Sequence, residues 1–170
     1  SGTELHDAFD EQLSSLADIG IEAIVLETFT DLSELSAALR VAKKRGLAAV
    51  CCMVFDFGAR EDRPATEPTL EQVAERLTEE GADAIGANCG YGVDAYLSIC
   101  QRLRATTSLP LWFKPNAGLP EIVDGRPAYA MTPEHFAVSV SKLLDEGAQF
   151  VGGCCGTTPR FVRAIERELR

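Results

Sequence analysis

Gly20, Gly81 and Gly147 each close a stretch with helical apolar spacing, and each is followed within four residues by a short apolar run. Glycine ends a helix cheaply because it adopts the left-handed conformation that the C-terminal turn requires. Aligning the chain on these three glycines exposes a repeat. Four residues on stand Ile24, Ile85 and Val151; seven on stand Glu27, Asn88 and Cys154; eight on stand Thr28, Cys89 and Cys155. The apolar runs lack the polar alternation of a one-sided sheet, so they read as strands covered on both faces. Helix and strand alternating in this way predict an α/β fold with a parallel sheet and right-handed crossovers. In such folds active sites are built at the C-terminal strand edge, where Cys89 and Cys155 fall.

The remaining signals fill in the units. Thr3 is expected to cap a first helix carrying Leu5, Phe9, Leu13 and Leu16, followed by a strand at 23–26. Asp31, with Glu34 three residues on, opens a helix striped by Leu32, Leu35 and Leu39 and stopped by Gly46. A second strand is expected at 48–55. Thr69 and Gln72 form a capping-box pair ahead of Leu70, Val73 and Leu77. A strand at 84–87, a helix over about 93–104 and a strand at Leu111-Trp112-Phe113 follow. Thr132-Pro133 starts a helix facing inward through Phe136, Val140 and Leu143, and Phe150-Val151 is the last strand. Thr158-Pro159 starts a final helix with Val162, Ile165 and Leu169. That makes five strands. There is no GxGxxG and no phosphate-binding loop of the GxxxxGK type, which removes support for the nucleotide-binding variants of this class.

A chain of 170 residues with 46% hydrophobic and 25% charged residues is one globular domain, 1–170, or part of a larger one. No apolar run reaches the roughly 18 residues of a membrane helix. The polar, acidic first ten residues lack a secretory pattern, which points to the cytoplasm. The chain starts with Ser1-Gly2, not Met, as expected of a cut point or an expression remnant. Its net charge of −10 argues against nucleic acid and anionic membranes as partners. Lys43-Lys44-Arg45, the one basic cluster, sits at a helix C-terminus, where cations suit the dipole.

Six cysteines carry the chemistry: Cys51, Cys52, Cys89, Cys100, Cys154 and Cys155. Adjacent cysteines do not readily form a relaxed disulfide with each other, and clustered thiols in a chain without a secretory signal point to metal or reactive sulfur. Cys154-Cys155 lies in Gly152-Gly153-Cys154-Cys155-Gly156, and Cys89 lies in Asn88-Cys89-Gly90. Three thiolates at one strand edge make a zinc site with an open fourth position. Spacing alone leaves inert core thiols as an equal alternative. Cys51-Cys52 falls mid-strand, where neighbours point to opposite faces, so both are expected to be packing thiols. Cys100, beside Ile99 and Leu103, is expected in the core, as is Trp112. His6 and His135 are expected on the surface without partners. Asn88 and Asn116, at strand ends, are candidates to orient substrate or the ligand cysteines. Lys114 is expected to do the same or to form a salt bridge at the rim.

The stretch Gly152-Gly153-Cys154-Cys155-Gly156-Thr157-Thr158-Pro159 resembles the C-terminal signature of homocysteine S-methyltransferases. Glu27-Thr28-Phe29-Thr30-Asp31, Asn88-Cys89-Gly90 and Lys114-Pro115-Asn116-Ala117-Gly118-Leu119-Pro120 match that family in order. The resemblance runs from about Leu13 to the C-terminus. It is closest to the homocysteine module of cobalamin-dependent methionine synthase and extends to betaine–homocysteine methyltransferase. It implies a TIM (β/α)8 barrel, of which this chain supplies five strands that look like the fourth to the eighth; a whole barrel takes about 250 residues. It implies zinc on Cys89, Cys154 and Cys155, homocysteine as substrate with its thiol activated by the metal, and Glu27 as the residue that holds the substrate amino group; Asn88 and Asn116, from their strand-end positions, are expected to join Glu27 as substrate-binding residues. No general base is needed beyond the metal-activated thiol. Methylcobalamin, betaine and S-methylmethionine all serve relatives, so the sequence does not name the methyl donor or its carrier domain, and donor contacts are expected largely from parts of the barrel that these residues do not supply. The alternative is a non-catalytic zinc-binding half-barrel that needs a partner chain. In either case sheet edges near 23–26 and 150–151 predict that the chain folded alone self-associates or requires added N-terminal β/α units for stability. A redox role for Cys154-Cys155 is disfavoured because the CxxC spacing is missing.

Overall fold

The structure is a computed structural model and describes residues 2–55 and 68–170; Ser1 lies outside the described residues. The units follow one another as α1 (Gly2–Ala17), β1 (Ala23–Phe29), α2 (Leu32–Lys44), β2 (Ala48–Met53), α3 (Leu70–Glu79) and β3 (Ala84–Cys89). Then come α4 (Tyr96–Thr106), β4 (Leu111–Pro115), a hairpin of β5 (Glu121–Val123) and β6 (Arg126–Ala128), α5 (Pro133–Asp145), β7 (Phe150–Val151) and α6 (Pro159–Glu168).

Five strands form one sheet in the order β1-β2-β3-β4-β7, every pair parallel. Spatial order follows chain order, so each β/α unit is laid beside the one before it, and β1 and β7 are the edges. This is the arrangement of a partial β/α barrel.

Local chemistry sets the helix starts. Asp31 Oδ1 accepts from the backbone N–H of Ser33 at 2.6 Å and of Glu34 at 3.1 Å. Thr69 and Gln72 complete a reciprocal capping box, with bonds of 2.8 and 3.3 Å. Thr132 and Thr158 cap α5 and α6 ahead of a proline in the first turn.

The sheet has two unlike faces. Leu26, Ala49, Cys51, Ile85, Ala87, Leu111 and Phe113 point one way and join a single core with residues of all six helices, such as Leu13, Leu35, Leu77, Leu103, Val140 and Ile165. The alternate residues Val25, Val50, Trp112 and Phe150 belong to no part of that core; Val25 is 37% and Phe150 47% exposed. Among the described residues the helices therefore pack on one side of the strands, while the other side is only partly covered: Val50 and Trp112 are half-buried there and Cys52 is fully buried. Among the described residues no helix is long and apolar enough to cross a membrane.

Several expectations need correction. Thr3 lies within α1, which already starts at Gly2. β1 continues past residue 26 to Phe29, and β2 stops at Met53, not at 55. The helix expected over 93–104 begins as a 3₁₀ turn, Val93–Ala95, and its α-helical part runs to Thr106. On α6 the inward residues are Phe161 and Ile165, while Val162 and Leu169 are 60% and 50% exposed. Val162 stands one position, about 100° of helix, away from the 161/165 stripe, and Leu169 is already past the last turn. The β5–β6 hairpin was not anticipated. Its signal was Asp124-Gly125, whose φ values of 51° and 73° make the two-residue turn that joins antiparallel strands.

Candidate metal centre

The C-terminal ends of the strands carry the repeat seen in the sequence, and the backbone repeats with it. Thr28 and Cys89, both eight residues after a helix-stop glycine, have φ of 67° and 66°. This left-handed conformation is uncommon outside glycine and is strained for a β-branched residue such as threonine. Past β7 the chain turns through Gly153 and Gly156. A Cβ on Gly153 would lie 2.4 to 2.7 Å from Thr157 side-chain atoms, and one on Gly156 would lie 2.4 Å from the Tyr129 ring. Only glycine fits at these approaches. Backbone bonds pin the turn to β4: Cys154 N–H donates to Pro115 O at 2.9 Å, and Ala117 N–H donates to Cys155 O at 2.9 Å.

The result is a cluster in which the sulfurs of Cys89, Cys154 and Cys155 all lie within 4.8 Å of one another, with Cys154 and Cys155 4.0 Å apart. A tetrahedral zinc with Zn–S of about 2.3 Å separates its sulfurs by about 3.8 Å. The three thiols fit that group with shifts of an ångström or less. They are the one group of three or more potential ligands among the described residues. Cys89 and Cys154 are half-buried and Cys155 is exposed. The neighbouring charge of Cys154, then burial, raises the Cys155 thiol above its ordinary value. Three sulfurs packed this closely resist ionising together unless a cation joins them.

Two buried amides serve the cluster. Asn88, at 0% exposure, places Nδ2 3.9 Å from the Cys154 sulfur. Asn116, at 5%, donates from Nδ2 to the Cys89 sulfur at 3.5 Å and to Gly90 O at 2.7 Å, and its Oδ1 accepts from the Cys155 N–H at 3.0 Å. The Tyr96 hydroxyl donates to Cys89 O at 2.8 Å, and burial raises its phenol so that it stays protonated. Glu27, on β1, meets Lys114, on β4, in an ion pair of 2.7 Å with both side chains less than one-third exposed.

The structure thus brings together the three thiols and both asparagines and places Glu27 against Lys114. It keeps Cys51, Cys52 and Cys100 apart from them, all at 0% exposure. Burial pushes Cys51 up to about 12 and Cys100 to about 11, and Cys52 also upward. The histidines are exposed but not partnerless: His135 Nε2 is 3.3 Å from Asp94 Oδ1 and His6 Nδ1 is 3.5 Å from Asp7 Oδ1. Tyr96 and Tyr129 were missed, since nothing in their sequence neighbourhood marks them. Thr28 was visible in the repeat, but only as a residue standing where other units carry cysteine.

The family model described as homocysteine S-methyltransferase matches residues 1–169. Methionine synthase from Mycobacterium tuberculosis is 29% identical over 165 residues, which are 95% of this chain and 14% of that protein. Homocysteine S-methyltransferase 1 from Arabidopsis thaliana is 25% identical, with 98% of this chain matched to 52% of its length. The chain therefore spans about half, or far less, of these curated relatives. The homocysteine methyltransferase MmuM from Escherichia coli, in its apo form, has the same fold at a TM-score of 0.77 and 22% identity, covering 99% of this chain and 57% of that one. Its metallated form gives 0.73 at 23% identity, over 95% and 51%.

Proposed function

The chain belongs to the homocysteine S-methyltransferase family, and we propose on that premise that it is the thiol-activating part of an enzyme that methylates homocysteine to methionine. Cys89, Cys154 and Cys155 would hold a zinc ion. When bound, that ion supplies the positive charge that favours the thiolate of a substrate whose free pKa is about 8.5, and it keeps one position open for the sulfur. The protein's own part is to fix the three sulfurs and to receive the rest of the substrate. Asn116 and Asn88 aim N–H groups at Cys89 and Cys154, which spreads sulfur charge and holds the ligand geometry. Both amides are engaged by protein groups, so we assign them to sulfur orientation in preference to direct substrate contact. Glu27 would take the substrate ammonium in the place that the Lys114 ammonium holds now, a like-for-like exchange at a carboxylate. The methyl donor, methylcobalamin or another, and any domain that carries it would come from outside these residues.

The observation that carries this reading is three sulfurs within 4.8 Å at a glycine-built strand edge. A second reading, a zinc-binding half-barrel completed by another chain or by further β/α units, is favoured by exposed Val25 and Phe150 on the side of the sheet away from the described helices and by the two edge strands β1 and β7. X-ray absorption at the zinc edge separates the two. Homocysteine added to the zinc-loaded chain should raise the sulfur count around the metal from about three to about four. A bound metal whose surroundings do not respond to homocysteine leaves only the second reading.

A further inference from the structure

Asn88 and Thr28 grip each other at both ends of the amide. The Thr28 backbone N–H donates to Asn88 Oδ1 at 2.7 Å, and Asn88 Nδ2 donates to Thr28 Oγ1 at 2.7 Å. A backbone N–H can only donate, so the first bond turns Oδ1 toward β1 and settles the amide orientation by chemistry. Nδ2 is then the end that faces Cys154. An amide turned the other way would set a carbonyl oxygen against the sulfur and leave a buried N–H without an acceptor.

Thr28 reaches both ends of that amide from an unusual backbone. The ladder between β1 and β2 pairs Leu26 with Cys51 but Phe29 with Met53, so residues 27–28 hold one residue more than the strand opposite. Bulges of this kind are rare in parallel pairs, and they re-aim side chains. The extra residue adds to the left-handed φ of 67° at Thr28. Strain of this kind persists only where its surroundings enforce it, and it concentrates at functional sites. Thr28 also occupies, in its unit, the repeat position filled by the clustered Cys89 and Cys155 in theirs.

We propose that Thr28 is a positioning residue: from its bulged, left-handed backbone the N–H fixes Asn88 Oδ1 and the hydroxyl holds Asn88 Nδ2, so that an N–H, not an oxygen, is held against the Cys154 sulfur, and loss of the hydroxyl frees Nδ2 to move off it. This rests on the reading in which the three cysteines hold a metal, and adds to it a residue outside the ligand group. Thr28→Val removes the Oγ1 acceptor while keeping shape and backbone N–H; Thr28→Ser keeps the hydroxyl; Thr28→Gly relieves the strain but has no hydroxyl.

The test loads each variant with cobalt(II) as an optical stand-in for zinc and records the sulfur-to-cobalt charge-transfer band, zinc retention against a chelator, and the thermal melt. Thr28→Val should shift the band and weaken zinc retention roughly 10–100-fold, and Thr28→Ser should restore both. A plain structural tie between β1 and β3 would lower the melt of Thr28→Val and leave the band of the loaded protein in place; that result overturns the proposal. If Thr28→Val does not fold, Thr28→Gly carries the same comparison against Thr28→Ser. A parent chain that takes up neither cobalt nor zinc would defeat the metal reading itself, and is distinguished from an unmoved band in a parent that binds.

Discussion

The dipeptide Cys-Cys occurs twice, at 51–52 and 154–155, and the two copies share composition and little else. In β2 the pleat sends the side chains to opposite faces: Cys51 enters the core shared with the helices, and Cys52 lies outside it. Both are fully buried, and burial raises both thiols. Past β7 there is no pleat. Glycines on either side let the backbone fold back, so neighbouring sulfurs converge to 4.0 Å and meet Cys89. The first pair is packing material, and the second belongs to the cluster that we propose as metal ligands. What separates them is position in the β/α unit, within the strand or just beyond its end, together with glycines close enough to other atoms that no side chain fits.

The sharpest way to break this comparison is to delete each pair in turn. Cys154→Ala with Cys155→Ala should abolish zinc binding, whereas Cys51→Ala with Cys52→Ala should leave about one zinc per folded chain by metal analysis. Equal zinc in the two double variants would end the distinction. Glu27→Gln asks whether the edge has a second function separate from its sulfurs. Zinc content should stay unchanged while homocysteine affinity measured by calorimetry drops about ten- to a hundredfold, roughly 1.5–3 kcal/mol. Unaltered affinity would make Glu27 only the ion-pair partner of Lys114. The smallest effect concerns stability in the metal-free chain. Cys51→Ser puts a hydroxyl into an apolar site and should cost about 1–3 kcal/mol in urea unfolding. Cys155→Ser, at an exposed position, should stay within about 0.5 kcal/mol. A reversal of that order would mean that the edge turn, not the strand, is the tightly packed region.

Much of this is readable in the sequence alone, for identifiable reasons. The helix-stop glycines and short apolar runs depend on neighbours in sequence, so the five strands, their parallel sense and the edge that carries the thiols were accessible. Three capped helix starts, at Asp31, Thr69 and Thr132, needed only residues three apart. The bulge at 27–28 was hidden because it arises from pairing with β2 and from Asn88, sixty residues away. The Glu27–Lys114 pair joins strands 87 residues apart and left no mark except two unlike charges. On α6 the error was one of phase: Phe161 and Val162 are both apolar, and only the contact with α5, where Phe161 meets the Phe136 ring at 5.3 Å, selects the inward one.

The side of the sheet away from the described helices has a spectroscopic consequence. Trp112 is the one tryptophan in the chain, and it lies there, its ring 4.9 Å from Phe150, its indole N–H shielded from solvent and without an acceptor among the described residues. All indole fluorescence therefore comes from a single spot on that face. A second copy or further β/α units closing over the strands would change the polarity around this one fluorophore. The colour of the emission is then a built-in gauge of whether the barrel interior is open or sealed, read without a label.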